Sequence, residues 1–243
     1  MRKKKHNKLN FLLILFFIAA LICGGWFYRE YREKAAADIA ADEIQQLKPP
    51  ADNVNDDESM MMDIGSIQTE NPDIIAWLTV PGTIIDYPVV QAYDNDYYLH
   101  HDAQKNSNIN GALFLDFRVH NNFSDFNNVI YGHNMNSGRM FQNLINFKER
   151  SFFDSHTSAV LFTEDKTWSL EIFAVAVISP YSELYNYAFV SINEKERHLQ
   201  TIKEKAMFYR DTGVTANDRI VILSTCSYEY EDARTAVVAR LFE

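Results

Sequence analysis

Cysteine is almost absent: 243 residues hold two, Cys23 and Cys226. That excludes a disulfide-stapled scaffold, and with no C-x-x-C pair it excludes a zinc ribbon. There is no H-E-x-x-H, no glycine-rich phosphate loop and no G-x-S-x-G elbow. Eight glycines and six prolines are too few for a low-complexity or fibrous chain. Positive charge is scarce beyond the N-terminus. Residues 1–34 carry eight Lys/Arg against two Asp/Glu, which leaves fifteen against thirty-one for the rest. A body that acidic repels phosphate backbones, so no nucleic-acid partner is expected.

What is present begins with a membrane signal. "RKKKHNK" precedes "LNFLLILFFIAALICGGWFY", Leu9 to Tyr28, a run with no charged side chain. About 20 apolar residues is the length a helix needs to cross the hydrocarbon core. The lysines in front keep the N-terminus cytoplasmic and place the bulk of the chain outside. The expectation is a single-pass cell-membrane protein with an extracellular domain. A cleaved signal peptide is the competing reading, but its apolar region is about 7–15 residues and no small-x-small site closes this run. A lipid-modified Cys23 is disfavoured because Ile22 precedes it.

"REYREKAAADIAADEIQQLK" (29–48) reads as a helical stalk, stopped by Pro49-Pro50 and followed by the acidic linker "ADNVNDDES". A short helix is expected from about Ser59 to Thr69. The boundaries are therefore a cytoplasmic tail over 1–8, a membrane anchor over 9–28, stalk and linker over 29–70, and a folded domain over 71–243.

Within that domain the pattern turns to strands. "IIAWLTV", "TIIDYPVVQ", "GALFLDF", "NNVIYG", "SAVLFT", "WSLEIFAVAVIS", "RIVILST" and "RTAVVARLF" are rich in β-branched and aromatic residues. Eight strands in this length predict one closed or nearly closed β-barrel. Two helices interrupt it. "GRMFQNLINFKERSFFDSH" places Met140, Phe141, Leu144, Ile145 and Phe147 at helical spacing. "SINEKERHLQTIKEKAMFYRD" places Leu199, Ile202, Ala206 and Tyr209 on one face, with a Ser191/Glu194 capping box.

The external domain has one cysteine, and it stands where an apolar strand ends: "RIVILSTC". A thiol there is either a buried, inert side chain or a nucleophile. A nucleophile needs a base and an electrophile-stabilising donor. Of seven histidines, His133 differs because it too follows an apolar strand, "NNVIYG". His120, His156 and His198 fall in polar loops or on helix surfaces. If the two strands run side by side in one direction, His133 and Cys226 emerge at one rim. Arg234, opening the last strand after a seven-residue loop, returns to that rim. The His100-His101-Asp102 cluster is not expected to bind metal, since neighbours on an extended chain face opposite ways.

"YGHN" with His133, "LSTC" with Cys226 and "AR" with Arg234 resemble the sortases, cysteine transpeptidases of Gram-positive cell surfaces. "NPDIIAWLTVPGTIIDYPVVQ", "DNDYYLHHD", "GALFLDFR" and the long helix before the cysteine strand resemble the class B branch. The resemblance covers roughly Asn71 to the C-terminus. It implies an eight-stranded barrel and no metal or organic cofactor. Cys226 is then the nucleophile toward a threonine carbonyl in a C-terminal sorting motif of secreted proteins. His133 is the general acid–base, and Arg234 is the donor to the motif and the oxyanion. The acceptor is an amine of a peptidoglycan precursor (lipid II-like) or of a pilin. Asn95 and Leu99 match groove positions in class B relatives, Ser224 shares a strand face with Cys226, and Tyr181 and Tyr185 lie in the loop before the long helix. A secreted cysteine peptidase or peptidoglycan hydrolase, and a non-catalytic surface binding module, are the other readings.

Overall fold

The computed structural model describes residues 3–49, 51–53 and 60–243. The core of the acidic linker and the expected helix start at Ser59 lie outside the described residues. The described chain forms two compact units, one ending at Ala40 and the other running from Ala41 to Glu243.

Helix α1 (Lys3–Gln46) is one uninterrupted helix, and its stretch from Asn10 is long and apolar enough to cross a membrane. Its polar half carries the i,i+4 pairs Arg29–Glu33 and Glu30–Lys34 at 2.8 and 2.7 Å, which support a solvated helix. It stops just before Pro49-Pro50, as a residue without an N–H requires.

In the second unit come β1 (Ala51–Asn53) and β2 (Met60–Met62), a two-stranded ribbon. α2 (Ile64–Gln68) follows, shorter than the expected helix because Asp63 caps it, accepting from Ser66 N at 3.1 Å. The remaining strands are β3 (Ile74–Thr79), β4 (Asp86–Val90), β5 (Leu113–Leu115), β6 (Asn127–Tyr131), β7 (Ser158–Thr163), β8 (Thr167–Ile178), β9 (Phe208–Tyr209), β10 (Arg219–Cys226) and β11 (Arg234–Phe242). Their order is β11-β10-β6-β5-β4-β3-β7-β8, and β8 pairs back to β11. The result is an eight-stranded closed barrel, with two-residue β9 added beside β8. Between β3 and β4 the chain reverses at Pro81-Gly82, where Gly82 has φ +79 and any Cβ would sit 2.7 Å from His156 Nε2.

Period-two alternation sorts β10 between two cores. Val221 and Leu223 join the cluster to which all eight barrel strands contribute. Ile220 and Ile222 join a second cluster on the outer face, with Phe173, Val238, Leu184 and Ile202. Ser224 and Cys226 share the parity of Ile220 and Ile222, so they face outward, toward the segment after β8.

The expected helix over 138–156 is instead two pieces, a 3-10 run at Gln142–Lys148 and α3 (Arg150–Ser155), broken at Glu149 in extended conformation (φ −89, ψ 125). Met140, counted in the helical face, is left-handed at φ +54 and precedes both. The second expected helix is α4 (Ile192–Lys205), with Ser191 accepting from Glu194 N at 3.3 Å. It ends before Ala206, and Tyr209 lies in β9 instead of on the helix. His198 is also not on a solvated face. It is 5% exposed, wedged edge-on against Phe126 and Phe189 with centroids at 5.9 and 4.9 Å.

Candidate active site

Strands β6 and β10 run parallel, with Tyr131 level with Ser224. The chain continues past β6, and Gly132 N still donates to Ser224 O at 3.1 Å. Extending that register two residues brings His133 level with Cys226. On the other edge of β10, Cys226 is paired directly with Arg234 in the antiparallel ladder. Directly opposite residues of neighbouring strands share a face with Cβ atoms about 5 Å apart. Histidine, thiol and guanidinium therefore stand in one row across β6, β10 and β11, with the thiol in the middle.

Each member is held from behind. His133 Nε2 lies 2.9 Å from Leu99 O. A carbonyl only accepts, so Nε2 carries the hydrogen and Nδ1 is the nitrogen left to exchange a proton. Gly132 lets the strand end approach the wall, since a Cβ there would meet Leu113 Cδ2 at 2.4 Å and Phe141 Cδ2 at 2.8 Å. Cys226 is a half-buried free thiol. Its carbonyl would have no ladder partner beyond the end of β6, and it accepts from Asn134 Nδ2 at 2.9 Å. Thr225 Oγ1 donates to Gly132 O at 2.7 Å. Arg234 Nη1 donates to Asp232 O and Ala233 O, both at 3.1 Å. The loop 227–233 closes through Ser227 N to Ala233 O at 2.8 Å, and a Lys148–Glu229 ion pair ties it to the 3-10 run.

The row opens into a groove of about 450 Å³. His133, Cys226, Arg234, Asn95, Leu99, Ser224 and Tyr181 all line it, so every side chain singled out in the sequence converges there. They play unequal parts. Ser224 is 1% exposed, and its hydroxyl is shared with Tyr185 at 2.7 Å. Tyr181 is 93% exposed at the rim. Asn95 accepts from Phe117 N at 3.1 Å, which holds two loops of the wall together.

The Sortase domain family model matches residues 78–242. Sortase B of Listeria monocytogenes is 31% identical over 233 residues, 94% of this chain and 95% of that protein. The X-ray structure of Clostridium perfringens sortase B matches with TM-score 0.70 at 37% identity, over 74% of this chain and 99% of that one. A crystal structure of sortase B complexed with triglycine matches with TM-score 0.74 at 25% identity, over 88% and 99%. This chain belongs to the sortase family, class B. Its activity is that family's cysteine transpeptidation.

Two further residues that line the groove, Arg118 and Tyr131, share the buried Asp116 carboxylate. Arg118 grips Asp116 with Nε and Nη2 at 2.8 and 2.6 Å. Tyr131 donates to the same carboxylate at 3.1 Å. Arg118 also stacks on Tyr187 at 4.3 Å. Burial alone would raise the Asp116 pKa, but the Arg118 fork and backbone N–H, with Tyr131, outweigh it and hold the carboxyl below its usual range. Burial pushes the Tyr185 phenol up to about 12, against the Ser224 hydrogen bond. It therefore stays a neutral donor-acceptor at working pH. Asp116 and Arg118 sit in "LDFR" and Asn134 in "YGHN". An alternating Asp-x-Arg at a strand end and a polar residue beside the histidine were the available signals.

Proposed function

We propose that this sortase is anchored by residues 9–28 with its N-terminus cytoplasmic, and that residues 71–243 act outside the membrane. There it cleaves a C-terminal sorting motif of secreted proteins after threonine. It then joins the threonine carbonyl to an amine of a peptidoglycan precursor or of a pilin lysine. The observation that carries this reading is the row of His133, Cys226 and Arg234 across three neighbouring strands, facing one groove.

The chemistry follows from that row. The Cys226 thiolate attacks the threonine carbonyl, and the oxyanion forms beside the Arg234 guanidinium, whose Nη1 alone is engaged by the loop carbonyls. An always-charged donor fork suits that task better than a point charge. As the tetrahedral adduct collapses, the C–N bond breaks and the departing amine takes a proton from His133 Nδ1, leaving a thioester. The acceptor amine then gives a proton to Nδ1 and attacks the thioester. A new C–N bond forms, the C–S bond breaks and the thiolate returns. A thiolate and an imidazolium must coexist for the first step.

A relative solved with triglycine supports an acceptor with an unhindered terminal amine. The test is incubation of the enzyme with a sorting-motif peptide and triglycine, read by mass spectrometry. The expected product joins the threonine carbonyl to the triglycine amine. Cleavage that yields only hydrolysed peptide whatever the triglycine concentration would contradict it.

A further inference from the structure

Chain that precedes the residues matched by the family model packs into the barrel domain. The match begins at residue 78, yet Ala41 and Ile44, in the last turns of α1, are buried in the same cluster as the barrel strands. Between them in sequence, Asp42 makes a two-pronged ion pair with Arg139, Nη1 to Oδ1 at 2.5 Å and Nη2 to Oδ2 at 2.8 Å. Two further contacts fix this helix end. Gln45 Nε2 donates to Ile84 O at 3.1 Å, and Lys48 Nζ to Asp86 Oδ1 at 2.6 Å.

Arg139 belongs to an excursion that leaves the barrel at His133 and returns to it. Phe141 N donates to His133 O at 2.9 Å, Asn134 bridges Met140, and Gly138 N donates to Met135 O at 2.9 Å. Left-handed backbone flanks Arg139 on both sides, Gly138 at φ +87 and Met140 at φ +54. For methionine that conformation is strained and persists only where its surroundings enforce it. The Met140 side chain is buried, and the bidentate grip of Asp42 fixes the residue before it. The same excursion fixes the carbonyl of His133 through Phe141.

We infer that Arg139 is a positioning residue for His133, and that Asp42 on the N-terminal helix holds Arg139 in place. The inference rests on the assignment of His133 as the acid–base group. Because the Asp42 side chain is 52% exposed, the pair contributes little to stability. Its consequence is geometric, since small displacements of a reacting group are costly in rate.

The test uses the full chain in detergent micelles and measures single-turnover acylation by a sorting peptide, its KM, and the melting temperature. Asp42→Ala should slow acylation by about 3- to 30-fold, with KM and melting temperature near wild type. Asp42→Glu should recover most of the loss. Asp154→Ala, which removes the exposed Arg150–Asp154 pair, should leave the rate unchanged. A wild-type rate in Asp42→Ala, or a loss that only tracks the melting temperature, would overturn the inference while leaving the acid–base assignment intact. Acylation at near wild-type rate in His133→Ala would instead overturn that assignment, and the inference with it.

Discussion

The side-chain amide of Asn134 donates to the main-chain carbonyl of Cys226 at 2.9 Å. The residue after the proposed acid–base thus grips the backbone of the proposed nucleophile, standing in for a ladder bond where β6 has ended. A carboxylate of the same shape cannot donate. Asn134→Asp should therefore behave like Asn134→Ala, with turnover down by about 10- to 100-fold and KM little changed. The stability cost should be only about 1 kcal/mol, the value of one hydrogen bond. Steady-state kinetics beside thermal melts check this. A large rise in KM with unchanged turnover would mean that Asn134 serves substrate binding and not alignment.

Arg234→Lys should lose about 10²- to 10³-fold in turnover, the typical cost of a missing oxyanion donor, although the charge is kept. His133→Ala should be nearly inactive with an unchanged melting temperature. Near-normal activity in Arg234→Lys would reduce the arginine to a source of charge.

Removal of residues 1–28 should release a soluble enzyme that keeps its peptide kinetics, because every groove-lining residue lies at Asn95 or beyond. Sedimentation with membranes and peptide cleavage, measured on both forms, decide it. A folded but inactive fragment would tie the anchor to the chemistry.

Acid stability should depend on His198. Burial drops its pKa to about 4, and among the described residues its buried Nε2 has no hydrogen-bond partner. The unfolded chain, with an ordinary imidazole, takes up a proton at higher pH than the folded one. The His198 contribution to stability therefore falls as pH drops from about 6.5 to 4, by at most about 3 kcal/mol, and levels off below that. His198→Phe should remove this slope while matching wild type at pH 7. Melting curves at pH 7 and 4.5 measure it. An unchanged difference between the two pH values would show that His198 does not drive the acid loss.

The barrel was legible because apolar strands with turn residues between them leave a direct signature. All eight expected strands form, but that β6 and β10 are parallel neighbours, the condition for His133 and Cys226 to share a rim, comes from the fold. What stayed hidden depends on partners distant in sequence. His198 reads as a helix-surface residue until Phe126 and Phe189 close over it. The apolar spacing at 140–147 is met by a 3-10 run and a left-handed Met140, since spacing alone does not distinguish these from an α-helix. Ala41 and Ile44 look like stalk residues, and only the fold shows them in the core. Tyr185 and the Asp116–Arg118 pair gain meaning from what they touch.

The most direct measurement is intact-mass analysis of the enzyme after brief exposure to a sorting-motif peptide without an amine acceptor. The expected result is an added mass equal to the peptide through its threonine less one water, as a thioester requires, located on Cys226. The adduct should be lost on adding triglycine, and Cys226→Ala should form none and lose more than about 10³-fold in turnover. Amine transfer by Cys226→Ala within about tenfold of wild type, or an adduct mapped to another residue, would contradict it.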